Sequence, residues 1–447
     1  MLADRAAPEP YRGGATARQL AAAAIFALAG GALTAFLPSF AFQLSALLAL
    51  AALVGAALWT GSGRVLNPAW VVVTWLYLIG PIGTILIDRG IGLQMTAIAA
   101  LAPLTFVGAV LLTRSDVRAR LVLLAPMAGL LLFAALSLAW SEDPSYGVTK
   151  LTLSLWNGFL PAACIMVLAA ASPRVTWQWV VALALLSAVA LMAYATPSPD
   201  YPGRPTLFDA NPIWAARALF VGAIVAMFGP FPRVVRLVTA PVMIVAGLMT
   251  VSLGPALGLA VGTWAGVGAY LRSGNRLERR LFATWAVLGL AIGLGILAAL
   301  AGGADADSSL VSSLAKQQDL TSRQAYLDAS LPLFAGSPLI GIGIGGFAAT
   351  HLDTYPHNLF VEIAVELGVA GLIAFGAWLW LAIRGAAHSP MLVALLAAST
   401  VFTLFSGSLA SNTELWMFSG LAVASYPLKR LGERPGGDAA VVRPPRI

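Results

Sequence analysis

Residues able to do acid–base or electrostatic chemistry are scarce in this 447-residue chain, which carries 19 acidic side chains, 26 basic ones and three histidines. Scarcity makes their positions informative, because a polar group kept near lipid needs a partner or a function. The segment 356–368 reads PHNLFVEIAVELG and opens an apolar helix with a histidine. Within it Asn358, Glu362 and Glu366 recur every four residues, which lines them along one helix face. Two readings of the glutamates stand side by side: part of a substrate site, or a buried polar network that ties helices together. His357, at the mouth of the bundle, is the candidate general base, since an imidazole with an unperturbed pKa of about 6.5 suits removal of a hydroxyl proton. His351 reads as a solvated loop residue.

Three arginines complete the set. Arg204 lies in TPSPDYPGRPTLFD, whose prolines forbid a regular helix, and Arg323 lies in 322–334, where apolar residues at helical spacing predict a helix at the membrane surface. A guanidinium presents a planar, permanently charged fork that matches phosphate oxygens, so both arginines are candidates to hold an anionic leaving group. Arg217 falls six residues inside the following span and either joins that anion site or extends its head outward. Asp305-Ala306-Asp307 has the D-x-D form of a divalent-ion site but sits among Gly, Ala and Ser, and it reads as a solvated turn. The run GIGIGGF at 341–347 follows no strand, which excludes a dinucleotide fingerprint, and it reads as backbone free to pass close to a diphosphate or lipid chain. With Cys164 the lone cysteine, an intramolecular disulfide is excluded and a thiolate metal site is not expected. No metal and no cofactor are expected.

The elements that must position these residues are membrane helices. The composition, 59% hydrophobic and 10% charged, lies far from the soluble average of about a quarter charged residues. Apolar runs of about 20 residues, enough to cross a bilayer, recur over 19–37, 40–60, 66–88, 91–113, 120–140, 150–171, 177–195, 210–229, 233–251, 254–271, 281–301, 358–384, 389–409 and 413–428. The expected fold is all-α: a polytopic membrane bundle of twelve to fourteen helices with one large periplasmic loop. Its divisions are a cytoplasmic tail at 1–18, helices over 19–301, the loop at 302–356, helices over 357–428 and a cytoplasmic tail at 429–447. The first apolar run reads as an uncleaved span, because a second follows closely. Tight breaks at Pro38-Ser39 and at 252–255 mark where two spans could be one kinked element. The net charge of +7 forms no cluster that would mark a nucleic-acid partner. Twenty of the 26 basic residues fall on one side of this arrangement, and Arg89, Lys150, Arg204, Arg217, Lys316 and Arg323 fall outside or near the outer interface. That asymmetry predicts cytoplasmic termini and a candidate site facing the periplasm. Trp59, Trp70, Trp140, Trp177 and Trp416, near span ends, read as an interfacial belt.

The stretch PHNLFVEIAVELGVAG resembles the signature of the O-antigen ligases, a histidine followed by Asn, Ser or Gln, nine residues, and Gly-x-x-Gly; here these are His357, Asn358, Gly368 and Gly371. TSRQAYLDASLPLFAGSPLIGIGIGGF resembles the loop helix and glycine-rich turn that precede it, with Arg323 at the arginine position. GRPTLFDANPIWAA is similar to the segment in which an arginine precedes an Asn that opens a span, giving Arg204 and Asn211, and LAWSEDPSYGVTK to an earlier outer loop. Where many relatives carry Ser-Arg-Gly, this chain has Ser252-Leu253-Gly254. The resemblance to the O-antigen ligase and polymerase superfamily implies a bacterial inner-membrane glycosyltransferase. Its donor would be a glycan on undecaprenyl diphosphate, and its acceptor lipid A-core for a ligase or a second lipid-linked glycan for a polymerase. It implies His357, Arg323 and Arg204 as catalytic residues and Arg217, Asn211, Asn358, Glu362 and Glu366 as substrate contacts. A transporter or flippase is the competing class, but no internal repeat supports it.

Overall fold

The computed structural model describes residues 68–79, scattered positions from 104 to 112, 114–171, 177–198, 204–206, 211–272, isolated helical positions from 283 to 291, 320–350 and 352–426. The predicted spans at 19–37 and 40–60, the D-x-D, Arg89, Lys316, His351 and both tails lie outside the described residues.

Among the described residues the fold is helical apart from one two-residue ladder. Helix α1 (Pro68–Val72) runs into a π-helical segment, Val73–Ile79. Helix α2 (Ala125–Ser137), with 3-10 turns at both ends, forms a continuous apolar rod over Ala119–Trp140. Helices α3 (Pro144–Ser154) and α4 (Leu160–Ala171) are joined by a π turn into a second rod, Pro144–Ala171. Helix α5 (Gln178–Tyr194) leads into strands β1 (Thr196–Pro197) and β2 (Pro205–Thr206), then α6 (Pro212–Phe228), α7 (Arg233–Met249) and α8 (Leu253–Arg272). Helix α9 (Leu320–Gly336) is followed by α10 (Leu359–Ala386), α11 (Pro390–Phe405) and α12 (Thr413–Ala424).

Among the described residues three helical rods, Ala119–Trp140, Pro144–Ala171 and Leu359–Ala386, are long and apolar enough to cross a membrane. Leu132, Leu136, Leu186, Val189, Ile373 and Ile383 are exposed on these and neighbouring helices, which suits lipid as the outer solvent. The break at 252–255 separates two helices: α7 stops at Met249 and Val251 takes a positive φ of 53° before α8 begins. Along α8, Gly254, Gly258, Gly262 and Gly266 recur every four residues, and a Cβ on any of them would strike Phe405, Phe402, Ala398, Ala394 or Phe228. The small side chains let α8 and α11 approach closely, as van der Waals packing between membrane helices requires. Two of the expected belt tryptophans are core residues instead. Trp177 and Trp416 are buried, and the Trp416 indole donates to the Leu409 carbonyl (3.2 Å).

Candidate active site

The His357 signature begins at a strained residue. His357 has φ 54°, a left-handed conformation that is uncommon outside glycine, and Asn358 then caps α10 by accepting from the Phe360 and Val361 amides (3.0 and 3.3 Å). The imidazole Nε2 lies 2.8 Å from Asp353 Oδ2. Its ring stacks on Tyr326 of α9 (centroids 5.4 Å apart, planes at 21°) and meets Tyr355 at 4.5 Å. Tyr326 also donates its hydroxyl to Asp353 Oδ2 (3.3 Å). Burial alone would raise the Asp353 carboxyl, but the hydrogen bond to His357, joined by those from Thr354, holds it below the usual aspartate range. It is ionised throughout the neutral range.

One turn before Tyr326 stands Arg323, half-buried. Burial, and next the positive charge of Arg204, lower its guanidinium from the usual value, while Tyr326 acts the other way. Helix α9 and the 196–206 ladder therefore bring two arginines of distant sequence close enough to repel. Arg204 is buried at the entry to β2, where its carbonyl accepts from the Ser198 amide (2.9 Å). Two guanidiniums that repel one another are relieved by an anion between them. Tyr355 in turn lies within electrostatic range of Arg217. Tyr326 and Tyr355 thus flank His357, with Arg323 one turn before Tyr326 on α9.

The remaining predicted residues are held by protein groups. Arg217 is buried and donates to the carbonyls of Phe402 (3.1 Å) and Ser406 (2.6 Å) and to Asn412 Oδ1 (3.3 Å), with Glu414 at 3.5 Å. Its head turns inward, tying α6 to the 402–414 segment, and does not extend outward. Asn211 caps α6 by accepting from the Ile213 amide (2.9 Å). Glu362 and Glu366 both pair with Lys150 of α3, and all three are buried. Lys150 Nζ sits 2.7 Å from each Glu366 oxygen, while Glu362 Oε2 accepts from the Leu409 amide (2.8 Å). Lys150 is therefore a core residue of the bundle, not an interfacial one. It is the partner that the sequence left unassigned.

The glycine-rich turn approaches protein backbone. Helix α10 breaks at Gly368 (φ 63°, ψ −162°), which frees backbone groups in the middle of an apolar helix. The turn supplies their partners: Ile342 and Gly343 amides donate to the Val365 and Glu366 carbonyls (3.0 and 2.9 Å), and the Val369 and Ala370 amides donate to Pro338 and Leu339 (2.9 and 3.1 Å). Gly341, Gly343 and Gly345 all have positive φ, and a Cβ on each would strike Glu366, Ser141 and Gly147 backbone respectively. The turn is thus docked against α10, α3 and the 137–141 turn. Ser137 and Ser141 complete the joint through bonds to Ile344 (2.9 and 2.7 Å).

Sequence reasoning missed Asp353, Tyr326, Tyr355 and Lys150. Only Asp353 carried a local cue, four residues before His357. Among the described residues no group of three or more His, Cys, Asp or Glu is arranged to hold a metal ion.

Direct comparison with curated proteins returns no match. The family described as O-antigen ligase matches residues 218–376, from the first turns of α6 to the middle of α10. Arg323, His357, Asn358, Glu362 and Glu366 lie inside the match, and Arg204, Asn211 and Arg217 precede it. Residues 218–376, with the His357 signature they contain, are thus similar to the O-antigen ligase family.

Proposed function

We propose that the protein transfers a glycan from undecaprenyl diphosphate to an acceptor hydroxyl at the periplasmic face of the bacterial inner membrane, and that the acceptor is lipid A-core. The observation that carries this reading is the His357–Asp353 pair, with Arg323 one turn before the Tyr326 that stacks on His357 and the charge of Arg204 felt at Arg323. Two fixed cations suit a diphosphate leaving group, and an imidazole next to them suits activation of a weakly nucleophilic sugar hydroxyl. The acceptor oxygen bonds to the anomeric carbon as the carbon–phosphate oxygen bond breaks, and the electron pair leaves with the diphosphate. One displacement inverts the anomeric configuration and requires no covalent enzyme intermediate. Because arginines serve the phosphates, the reaction is expected to proceed without a divalent ion.

Polymerisation onto a second lipid-linked glycan uses the same groups. The match to a family described as O-antigen ligase favours ligation. Purified protein, given a synthetic undecaprenyl-diphosphate glycan with EDTA present, should modify lipid A-core with inversion. Elongation of a second donor in place of lipid A-core would assign it as a polymerase. Movement of the donor across a vesicle membrane with neither product would make it a transporter.

A further inference from the structure

His357 meets a carboxylate on one ring nitrogen and aromatic rings on its faces. Asp353 Oδ2 lies 2.8 Å from Nε2 and accepts from the Tyr326 hydroxyl at 3.3 Å, and Asp353 Oδ1 receives the Thr354 hydroxyl at 3.1 Å. Tyr326 stacks on the imidazole from α9 and Tyr355 crowds it from the preceding turn. The carboxylate is tied from three directions, so its direction toward the imidazole is fixed, and His357 itself holds a left-handed backbone at φ 54°. An ionised carboxylate only accepts hydrogen bonds, so the nitrogen facing it must carry the proton. The other nitrogen, Nδ1, is left with a lone pair.

We propose that Asp353 is the positioning residue of the transfer reaction: it fixes His357 in the Nε2–H tautomer, so that Nδ1 is the atom that takes the acceptor's proton. This rests on the reading of His357 as the base. In the step, the acceptor O–H proton passes to Nδ1 while the acceptor oxygen bonds to the anomeric carbon. The bond to the diphosphate breaks, with its electron pair leaving on the phosphate oxygen. The Nε2–H proton stays on the ring, hydrogen-bonded to the ionised Asp353, which stabilises the imidazolium until Nδ1 returns its proton to water. Tyr326 has two parts to play, holding the carboxylate by its hydroxyl and the ring plane by its face. Since Arg323 sits one turn earlier on the same helix, the seating of α9 sets the anion site and the base together.

The test combines Asp353→Asn and His357→Ala, singly and together, with donor affinity measured on the same preparations. Asp353→Asn keeps the shape of the side chain and removes its charge. It is expected to lower turnover by about 10² or more while donor affinity holds, and to add no further loss in the His357→Ala background. A residue acting only on folding would lower both readouts and would subtract equally in either background. Nitrogen NMR of histidine-labelled protein, with His351 and His388 replaced for assignment, reads the tautomer directly and needs no change at the pair. Wild-type His357 should show a protonated Nε2 and an unprotonated Nδ1. A protonated Nδ1 in the wild type, or full turnover by Asp353→Asn beside an impaired His357→Ala, overturns the positioning role alone. Full turnover by His357→Ala removes the underlying base assignment as well.

Discussion

In the proposed reaction His357, Arg323 and Arg204 have different parts, and variants at them should fail differently. His357→Ala is expected to lower turnover by about 10² to 10⁴ with donor affinity kept, because the imidazole acts on the acceptor. Arg323→Ala and Arg204→Ala should weaken donor affinity as well as turnover, and lysine should restore Arg323 only in part because a point charge lacks the two-pronged contact. Loss of donor binding in His357→Ala, with both arginine variants binding normally, would reverse the roles. Lys150 is a different kind of residue: it pairs with two buried glutamates at once. Removing it as Lys150→Met leaves uncompensated buried charge and should destabilise the protein by roughly 3–5 kcal/mol. The combined change with Glu362→Gln and Glu366→Gln should recover much of that, and detergent melting curves of the two variants decide it. His357, Arg204 and Arg323 were legible in the sequence as candidates because each is a charged or titratable side chain in a setting that disfavours it. Lys150 was misjudged because its distance from Glu362 and Glu366 in the chain hides that all three share one buried network, and Asp353 and Tyr326 act only through what they touch.

At the scale of elements, the broken helix α10 and the glycine-rich turn form one joint. The spacing of Gly368 and Gly371 is readable as a motif, but the reason for it is not, since the partner backbone lies about thirty residues upstream and is brought there only by the fold. A side chain at Gly368 meets two obstacles: the positive φ, and the Leu339 backbone, which a Cβ would approach to 2.5 Å. Gly368→Ala is therefore expected to destabilise by about 1–3 kcal/mol. It should also weaken donor affinity, because displacing the turn shifts the end of α9, on which Arg323 is carried. Gly376, on the same helix, has nothing within 4 Å of its Cβ position, and Gly376→Ala should match or slightly exceed wild-type stability. Equal melting temperatures for the two alanine variants would mean that the joint does not govern the fold. The helix limits themselves were largely legible from apolar run lengths: the predicted 120–140 and 358–384 correspond to Ala119–Trp140 and Leu359–Ala386. The run at 150–171 was predicted six residues short, because the polar turn PSYGVTK lowers the hydropathy where Asp143 caps the helix by accepting from the Tyr146 amide (2.9 Å).

Across the whole molecule, side-chain contacts sort the described helix ends into two groups without reference to charge counting. Arg114 donates to the Ala171 carbonyl (2.7 Å) and Arg120 to the Ala424 carbonyl (2.9 Å), so the start of the α2 rod and the C-termini of α4 and α12 share one end. Such arginines satisfy the last carbonyls of a helix and complement its dipole. At the opposite end of the α2 rod, Trp140 donates to the Gly341 carbonyl (3.2 Å) and Ser141 to that of Ile344, which ties that end to the turn preceding His357. By the charge asymmetry the first group is expected in the cytoplasm and the candidate site is expected to face the periplasm. Two exposed serines report on this: Ser115, beside the arginine end, and Ser145, beside the site. The native Cys164 is buried and should be silent toward a polar reagent. In intact spheroplasts, a membrane-impermeant maleimide should label Ser145→Cys, whereas Ser115→Cys should react only after the membrane is permeabilised. The reverse pattern would turn the bundle over and put Arg204, Arg323 and His357 on the cytoplasmic side, where a periplasmic acceptor could not reach them. Labelling of both in intact cells would mean that the two ends are not separated by a bilayer, and the membrane placement of the α2 rod would fall with it.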